Sequence, residues 1–239
     1  MLRNLFFSKA VAVLAACTVL GLSVGCKTTG TERAAQAAGS LQALRAEVQK
    51  AEGLLNGAVT SLDDLVNNPK QDLNPQYKAY SDSMDALEAQ LGVVRAQAET
   101  MKARGQAYFE AWEAQSQEIK TEELKAHSDE RRAKLNAHYD EVKAEMQRIA
   151  DLSKPVITAL KDTKTVLGLD LTPAGLKLAA PQVTKAQDAA AELKVEVEKL
   201  GKCLDDVAVI LSPAAVKPAA PAPAPEPAPA PAPEPAPKT

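Results

Sequence analysis

The spacing of apolar residues between Thr31 and Leu211 constrains the fold more than any other feature of this chain. Apolar side chains recur there in alternating steps of three and four, which is the heptad pattern of helices that pack side by side. Ala, Leu, Glu, Lys and Gln are abundant in the segment and are strong helix formers. The pattern therefore predicts an all-α fold made of long helices. The first helix shows it as Leu41, Leu44, Val48, Ala51, Leu55, Ala58, Leu62 and Leu65.

Breaks in the pattern predict where the helices end. The first helix should stop at Asn67-Asn68-Pro69, and Asn74-Pro75 should start the second, with Asn74 as N-cap and proline at the first helical position. Thr172-Pro173 predicts the start of the fourth helix by the same logic. Gly168 is a favourable residue just past the end of the third.

The region between the second and third helices carries no glycine or proline to mark a turn. Beyond Trp112 the apolar spacing fails, and at Leu135 it resumes one residue out of phase. One continuous helix over residues 75–167 would be about 140 Å long. We therefore predict a hairpin near Ile119 to Thr121, with Thr121 as the cap and Glu122-Glu123 as an acidic first turn of the third helix.

Four long helices with short connections predict an elongated antiparallel four-helix bundle, or coiled coil, over residues 41–211. Residues 26–40 would form a short tether and the start of the first helix. Pro155 and Pro181 each remove one helical hydrogen bond, so we expect kinks there. The seams are rich in Ala and the chain has few aromatic residues (3%). This indicates a long, thin bundle, or one that pairs with a second copy of the chain.

Residues 1–25 have the composition of an export signal. Met1 to Lys9 is basic, and Ala10 to Leu22 is an apolar run too short for a membrane span of about 20 residues. Small residues, Cys26 and then a polar stretch follow, an arrangement that resembles a bacterial lipoprotein signal. It predicts that Cys26 becomes the lipidated first residue of the mature chain. Lys27, by analogy with lipoprotein sorting signals, favours the outer membrane facing the periplasm.

Cys17 competes with Cys26 as the lipidated residue. The usual signal has an aliphatic residue three places before the cysteine, and Ser23 occupies that position ahead of Cys26. Leu14 precedes Cys17 at the right distance, but cleavage there would leave a very short apolar region. A third alternative is an ordinary secretory signal with incidental cysteines. We favour Cys26.

Residues 212–239 form a tail of different chemistry, in which proline and alanine alternate over long stretches. This composition predicts a disordered segment that favours the polyproline II conformation, with a reach of about 80 Å. A spacer that reaches across the periplasm or to the cell wall is one interpretation. A solvated tail without a partner is the other.

Charge excludes one class of function. The chain has 28 basic and 31 acidic residues, a net charge of −3, and the two signs are interleaved along the predicted helices. Nucleic-acid binding requires a basic stripe, which is absent from this pattern.

Few residues qualify as candidates for a chemical site. His127 and His138 would lie about 16 Å apart along one helix, too far to share a metal. Acidic residues near them alternate with basic ones, as on a solvated helix face. Cys203 lies between leucines on the fourth helix and reads as a half-buried apolar residue. No catalytic residue, metal site or cofactor is predicted.

Trp112 is the only tryptophan. It ends the apolar spacing of the second helix and is predicted to plug one end of the bundle. Its alternative role is contact with a partner, because tryptophan often anchors interfaces.

One set of residues forms a pattern shared with known proteins: Phe109 with Trp112, the Leu124 to Ser128 segment, Arg131 and Arg132, Tyr139, Pro155-Val156 with Leu160 and Asp162, and Asp170-Leu171-Thr172. On these residues the segment from Trp112 to Leu176 resembles the bacterial lipoproteins grouped as the domain-of-unknown-function 2959 family, and the leader and helical layout extend the likeness over most of residues 1–211. The sequence departs from the family pattern at Gly168-Leu169, where a Lys-His pair is expected. The resemblance implies no established activity.

Two functional hypotheses follow. The first is a non-enzymatic, membrane-anchored envelope lipoprotein that acts as a structural or adaptor element through helix-to-helix contacts with an envelope protein or the cell wall. The second is a periplasmic chaperone-like module that binds a lipid or a client protein between its helices, because an Ala-rich seam allows helices to part.

Overall fold

The computed structural model describes residues 29–211. The predictions for the leader, for Cys17 and Cys26, and for the tail over residues 212–239 lie outside this range. Within it the chain forms four helices and no strand: α1 (Gly30–Asn67), α2 (Asn74–Ser116), α3 (Glu122–Leu169) and α4 (Pro173–Leu211). The predicted all-α fold is confirmed, as is the hairpin between the second and third helices.

The helices are arranged as a four-membered ring in cross-section. α1 packs against α2 and α4, and α3 packs against the same two helices, whereas no Cα atoms of the diagonal pairs lie within 8 Å of each other. On the α1–α4 side Arg45 pairs with Asp205, and Gln187 Nε2 donates to Asp63 Oδ1 at 3.3 Å, so the two helices run in opposite directions. This is the antiparallel four-helix bundle that the heptad pattern predicts.

Two hydrophobic cores fill the bundle. The first core lies at the end where α1 begins and α4 ends, and Leu44, Met101 and Tyr139 are among its members. The second core lies at the opposite end, and Leu62 and Tyr80 are among its members. The middle of the bundle lies between them.

Local sequence explains how α1 and α4 begin. Thr29 and Glu32 form a capping box, in which the Thr29 hydroxyl accepts from the Glu32 backbone N–H and the Glu32 carboxylate accepts from the Thr29 backbone N–H at 2.7 Å. The Thr172 hydroxyl accepts from the Gly175 backbone N–H at 3.3 Å, as expected from Thr172-Pro173. Pro155 and Pro181 lie at exposed positions inside α3 and α4, and both helices continue through them.

The start of α2 differs from the prediction. Leu73 is the N-cap, and Asn74 is already inside the helix, where its amide donates to Asp72 Oδ1 at 2.9 Å. Asn74 therefore does not cap α2. Thr121 holds the N-cap position of α3 but makes no side-chain capping bond, and Glu122 and Glu123 form the predicted acidic first turn.

Gly168 does not lie beyond the end of α3. The helix continues to Leu169, and Asp170 is the C-cap residue. Gly168 has a packing role instead, because a Cβ atom at this position would lie 2.5 Å from Tyr77 Oη. The prediction of a C-terminal glycine cap was wrong, because the helix continues past Gly168. The glycine instead leaves space for the Tyr77 side chain of the facing helix.

A buried glutamine closes the turn between α1 and α2. Gln76 Nε2 donates to the Asp64 carboxylate at 2.6 Å and to the backbone carbonyls of Asp64 and Asn68 at 3.1 Å. Its Oε1 accepts from the Lys70 backbone N–H at 3.0 Å. One side chain on α2 thus bonds to the last turn of α1 and to the carbonyl of its C-cap residue Asn68, which no helical N–H reaches.

Candidate functional site

Tyrosine side chains hold α2 and α3 together at two separate points. Tyr80 on α2 donates its hydroxyl to the Leu160 carbonyl of α3 at 2.6 Å. Tyr139 on α3 donates its hydroxyl to the Met101 carbonyl of α2 at 3.0 Å. The two bonds run in opposite directions across the seam, and both rings are buried. They fix the distance between the helices in the second and first cores respectively.

Glycines on the facing helix admit the side chains of Tyr139 and Tyr77. A Cβ atom at Gly105 would lie 2.5 Å from the Tyr139 ring, so only glycine fits there without displacement. The Tyr77 hydroxyl occupies the space that a side chain at Gly168 would fill, and it donates to the Lys164 carbonyl at 3.1 Å. Of the four tyrosines in the chain, three therefore bond across this one seam.

Burial keeps the two inner hydroxyls in the neutral form. It raises the pKa of Tyr139 to about 12 and the pKa of Tyr80 further above the ordinary tyrosine value. Desolvation is the main cause for both residues because it disfavours the phenolate. Each hydroxyl therefore remains a hydrogen-bond donor at physiological pH.

Between the two tyrosine contacts the seam is open. The larger apolar residues that continue the heptad pattern here, such as Leu91, Val94 and Ile149, are only half-buried, whereas Met84 and Met101 in the two cores are fully buried. They line a cavity of about 680 Å³ between α2 and α3, which we call the α2–α3 groove. Its apolar floor consists of Val48, Leu91, Val94, Ala98, Met146, Ile149, Ala150, Ile157 and Leu200.

The floor of the groove continues into the bundle interior. A smaller cavity of about 80 Å³ shares Val48, Leu91 and Ile149 with the groove and extends to Leu55 and Leu193. Except for Glu52 and Ser153, its lining is apolar. The opening between α2 and α3 thus gives access to hydrophobic surface in the middle of the bundle.

The edge of the groove is predominantly basic. Five basic side chains and two acidic ones line it, together with Gln147, Ser153 and Thr158. The whole chain, by contrast, carries a net charge of −3. The charged residues are Arg95, Glu99, Lys102, Lys143, Asp151, Lys154 and Lys161.

Trp112 lies away from the groove, near the turn between α2 and α3. Its indole N–H donates to Ser128 Oγ at 2.8 Å, and the Arg131 guanidinium lies 5.9 Å from the ring centroid. The half-buried ring packs against the first core and contacts Tyr108 edge to face, with centroids 5.5 Å apart. Trp112 therefore joins α2 to α3, and its contact with a partner stays a prediction.

Polar contacts also close the turn between α2 and α3. The buried Ser116 hydroxyl donates to Asp129 Oδ1 at 2.8 Å, and Arg132 pairs with Glu113 at 2.6 Å. The hydrogen bond from Ser116, followed by that from Lys125, lowers the pKa of Asp129. Asp129 thus has a structural role at the turn.

Cys203 and the histidines form no reactive cluster. The Cys203 thiol is half-buried against the first core, and burial, followed by the charge of Glu145, raises its pKa. A reactive cysteine requires the opposite shift. His127 is exposed, and His138 contacts Glu141 at 3.2 Å. Over residues 29–211 no group of three or more potential ligands is placed to hold a metal.

The α2–α3 groove escaped the sequence analysis because its residues follow the same spacing as a buried seam. Nor did the spacing reveal the tyrosine bonds. The only available signal was the position of Tyr77, Tyr80 and Tyr139 in a chain with few aromatic residues.

Fold and groove together define the class of protein: an antiparallel four-helix bundle with an open, apolar seam between α2 and α3. Residues 26–208 match the family model described as "Protein of unknown function (DUF2959)", and the chain belongs to this family. The family inferred from the sequence is thereby confirmed, whereas the lipoprotein leader stays a prediction. Comparison with curated proteins and with solved structures found no significant match. Among the four described helices, none is long and apolar enough to cross a membrane.

Proposed function

We propose that this protein is a non-enzymatic lipoprotein of the cell envelope whose helical bundle binds an apolar ligand in the α2–α3 groove. The single observation that carries the proposal is the partly exposed apolar floor in the middle of the bundle. Of the two hypotheses raised by the sequence, the binding module is the one that this feature favours.

A purely structural bundle gains nothing from an open seam. Apolar surface left in water forfeits about 25 cal/mol of stabilisation per Å². Leu91, Val94 and Ile149 occupy seam positions and yet remain partly exposed, while Met84 and Met101 on the same face of α2 are fully buried. A cavity of about 680 Å³ also lies within the size range of small-molecule sites.

The proposed anchor would tether the bundle that carries this groove to a membrane. α1 begins at Gly30, close to the predicted lipidation site at Cys26, and the family match begins at Cys26 itself. An acylated Cys26 would hold the first-core end of the bundle near the lipid surface. Outer-membrane attachment facing the periplasm remains part of the proposal.

Dye binding to a groove-filling variant tests the proposal. Ala150 is an exposed residue that lines the groove, so Ala150→Phe should cover the floor without disturbing either core. Ala144→Phe is the matched control, because Ala144 is exposed on the same helix and lies outside the groove. Nile red fluorescence should rise with the wild type and the control and largely fail to rise with Ala150→Phe. Equal dye binding by both variants would contradict a ligand site in the groove.

An adaptor role is the second candidate, and a different surface favours it. Leu169 and Leu178 are 86% and 70% exposed on either side of the turn between α3 and α4. Exposed leucines at the second-core end suit a contact with an envelope protein, with the cell wall or with a second copy of the chain. Leu169→Ser with Leu178→Ser should then abolish a specific cross-link formed in intact cells while leaving Nile red binding unchanged. A cross-link that persists in this variant would argue against the surface.

A further inference from the structure

The charge at the edge of the groove opposes the charge of the chain as a whole. Basic residues outnumber acidic ones by five to two around an apolar floor, on a chain whose net charge is −3. The excess is contributed by both helices: Arg95 and Lys102 lie on α2, whereas Lys143, Lys154 and Lys161 lie on α3. A ligand in this groove therefore encounters hydrocarbon below and positive charge at the edge.

Two of these cations have no counter-ion among residues 29–211. Lys102 pairs with Glu99 at 2.7 Å, Lys143 with Asp140 at 2.8 Å and Lys161 with Glu88 at 3.3 Å. Arg95 and Lys154 form no ion pair with any described residue, and each is solvent-exposed on one side of the groove. These two side chains are available to an anion from outside the bundle.

The length of the groove suits a hydrocarbon chain. Its lining on α3 extends from Lys143 to Lys161, a rise of about 27 Å in a helix. An acyl chain reaches about 15 Å, half the thickness of the hydrocarbon core of a bilayer. The groove therefore accommodates an extended chain along its floor, with its headgroup at the charged edge.

We infer that the α2–α3 groove binds an anionic lipid, with one acyl chain along the apolar floor and the anionic headgroup at Arg95 and Lys154. This inference rests on the proposed function, which requires only an apolar ligand, and it adds the chemical class of that ligand. A neutral lipid would form no ion pair with Arg95 or Lys154. An unfolded polypeptide would use the apolar floor without a fixed requirement for negative charge.

Paired fluorescent probes test the inference on the full chain. Anthroyloxy-stearate supplies an acyl chain with a carboxylate, and its methyl ester supplies the same chain without charge. The variant is Arg95→Gln with Lys154→Gln. Its control is Lys78→Gln with Lys134→Gln, which removes the same charge from α2 and α3 at exposed positions outside the groove.

The wild type and the control should bind the carboxylate more tightly than the ester, and this preference should shrink as salt is added. The groove variant should lose about fivefold to tenfold in affinity for the carboxylate, as two partly exposed ion pairs would contribute, and retain its affinity for the ester. Ala150→Phe should weaken both probes.

Equal affinity of the wild type for the two probes would overturn the inference. If Ala150→Phe still weakened both, the proposed function would stand with a neutral ligand. Loss of both probes from the groove variant, or equal loss from groove and control variants, would also overturn it. Displacement of Nile red by an unfolded outer-membrane protein but by neither probe would assign the groove to polypeptides. Failure of every apolar probe, Nile red included, would remove the proposed function as well.

Discussion

Tyr80 and Tyr139 lie on facing helices, and each donates its hydroxyl to a backbone carbonyl of the other's helix, at 2.6 Å and 3.0 Å. The two bonds are located in different cores, and the α2–α3 groove lies between them. These two contacts hold α2 and α3 side by side at both ends of an open stretch. The apolar floor between the contacts stays accessible. This arrangement explains how the bundle keeps a groove without separating at its ends.

Removal of either tyrosine hydroxyl should weaken the seam. Tyr139→Phe keeps the ring and deletes one buried hydrogen bond, and we expect the free energy of unfolding to fall by about 1 kcal/mol. Tyr80→Phe should act similarly, and the double variant should show the sum because the bonds share no partner. Urea denaturation measures all three.

Tyr108→Phe is the control, since Tyr108 Oη makes no hydrogen bond to any residue within 29–211. A loss for Tyr139→Phe no larger than that for Tyr108→Phe would mean that the seam does not depend on this bond.

Gly105 and Gly92 on α2 should respond to the same substitution with opposite signs. A Cβ atom at position 105 would overlap the Tyr139 ring, and Gly105→Ala should destabilise the fold by about 1–3 kcal/mol despite the better helix propensity of alanine. Gly92 is exposed and has open space around it, so Gly92→Ala should stabilise by about 1 kcal/mol.

Thermal and urea unfolding of the two alanine variants give the comparison directly. Stabilisation by both would show that Tyr139 moves aside easily, and the ring would then not fix the distance between α2 and α3.

The turn between α2 and α3 should make stability depend on pH through Asp129. Its pKa is lowered in the folded chain, chiefly by the Ser116 hydrogen bond, so the folded state favours the carboxylate. The resulting stabilisation is present above the unfolded-state pKa, near 3.8, and is lost as pH falls through the lower folded value.

Asp129→Asn should therefore reduce stability at neutral pH, with a deficit that shrinks in acid. Ser116→Ala should remove part of the same contribution, so that the two changes combine to less than their sum. The check is chemical denaturation of the four proteins across pH. A deficit for Asp129→Asn that is constant with pH would contradict the role given to the carboxylate.

The predicted anchor is tested by exchanging the cysteines one at a time. Cys26→Ala should abolish acylation and move the protein from the membrane to the soluble fraction, because the attached acyl chains supply the membrane affinity. Cys17→Ala should leave acylation and fractionation unchanged. Metabolic labelling with an alkyne fatty acid measures the acylation of both variants. Persistence of the label in Cys26→Ala and its loss in Cys17→Ala would assign the anchor to Cys17.

Sequence periodicity predicted the helices better than the details at their ends. The hairpin before Glu122 followed from a loss and phase shift of the apolar pattern, and it is present. Asn74 and Gly168 were assigned to caps by residue type alone. Asn74 instead bonds to Asp72, and Gly168 faces Tyr77, a residue distant in sequence, so residue type alone was insufficient.

The apolar spacing of the sequence could not predict the groove, for a related reason. Leu91 and Val94 continue the spacing of Met84 and Leu87 without interruption, so their periodicity is that of a closed seam. Whether such residues are buried depends on the distance between α2 and α3, which side chains such as Tyr139 set from the facing helix.

Paramagnetic mapping of a bound acyl chain tests the central claim most directly. Doxyl-labelled stearate added to protein with isotope-labelled methyl groups broadens the NMR signals of methyls that lie near the chain. We predict broadening of Leu91, Val94 and Ile149, in the floor of the α2–α3 groove, while Leu62 and Leu204 in the two cores stay sharp. Signals that broaden equally throughout, or only around the exposed Leu169 and Leu178, would contradict a lipid site in the groove.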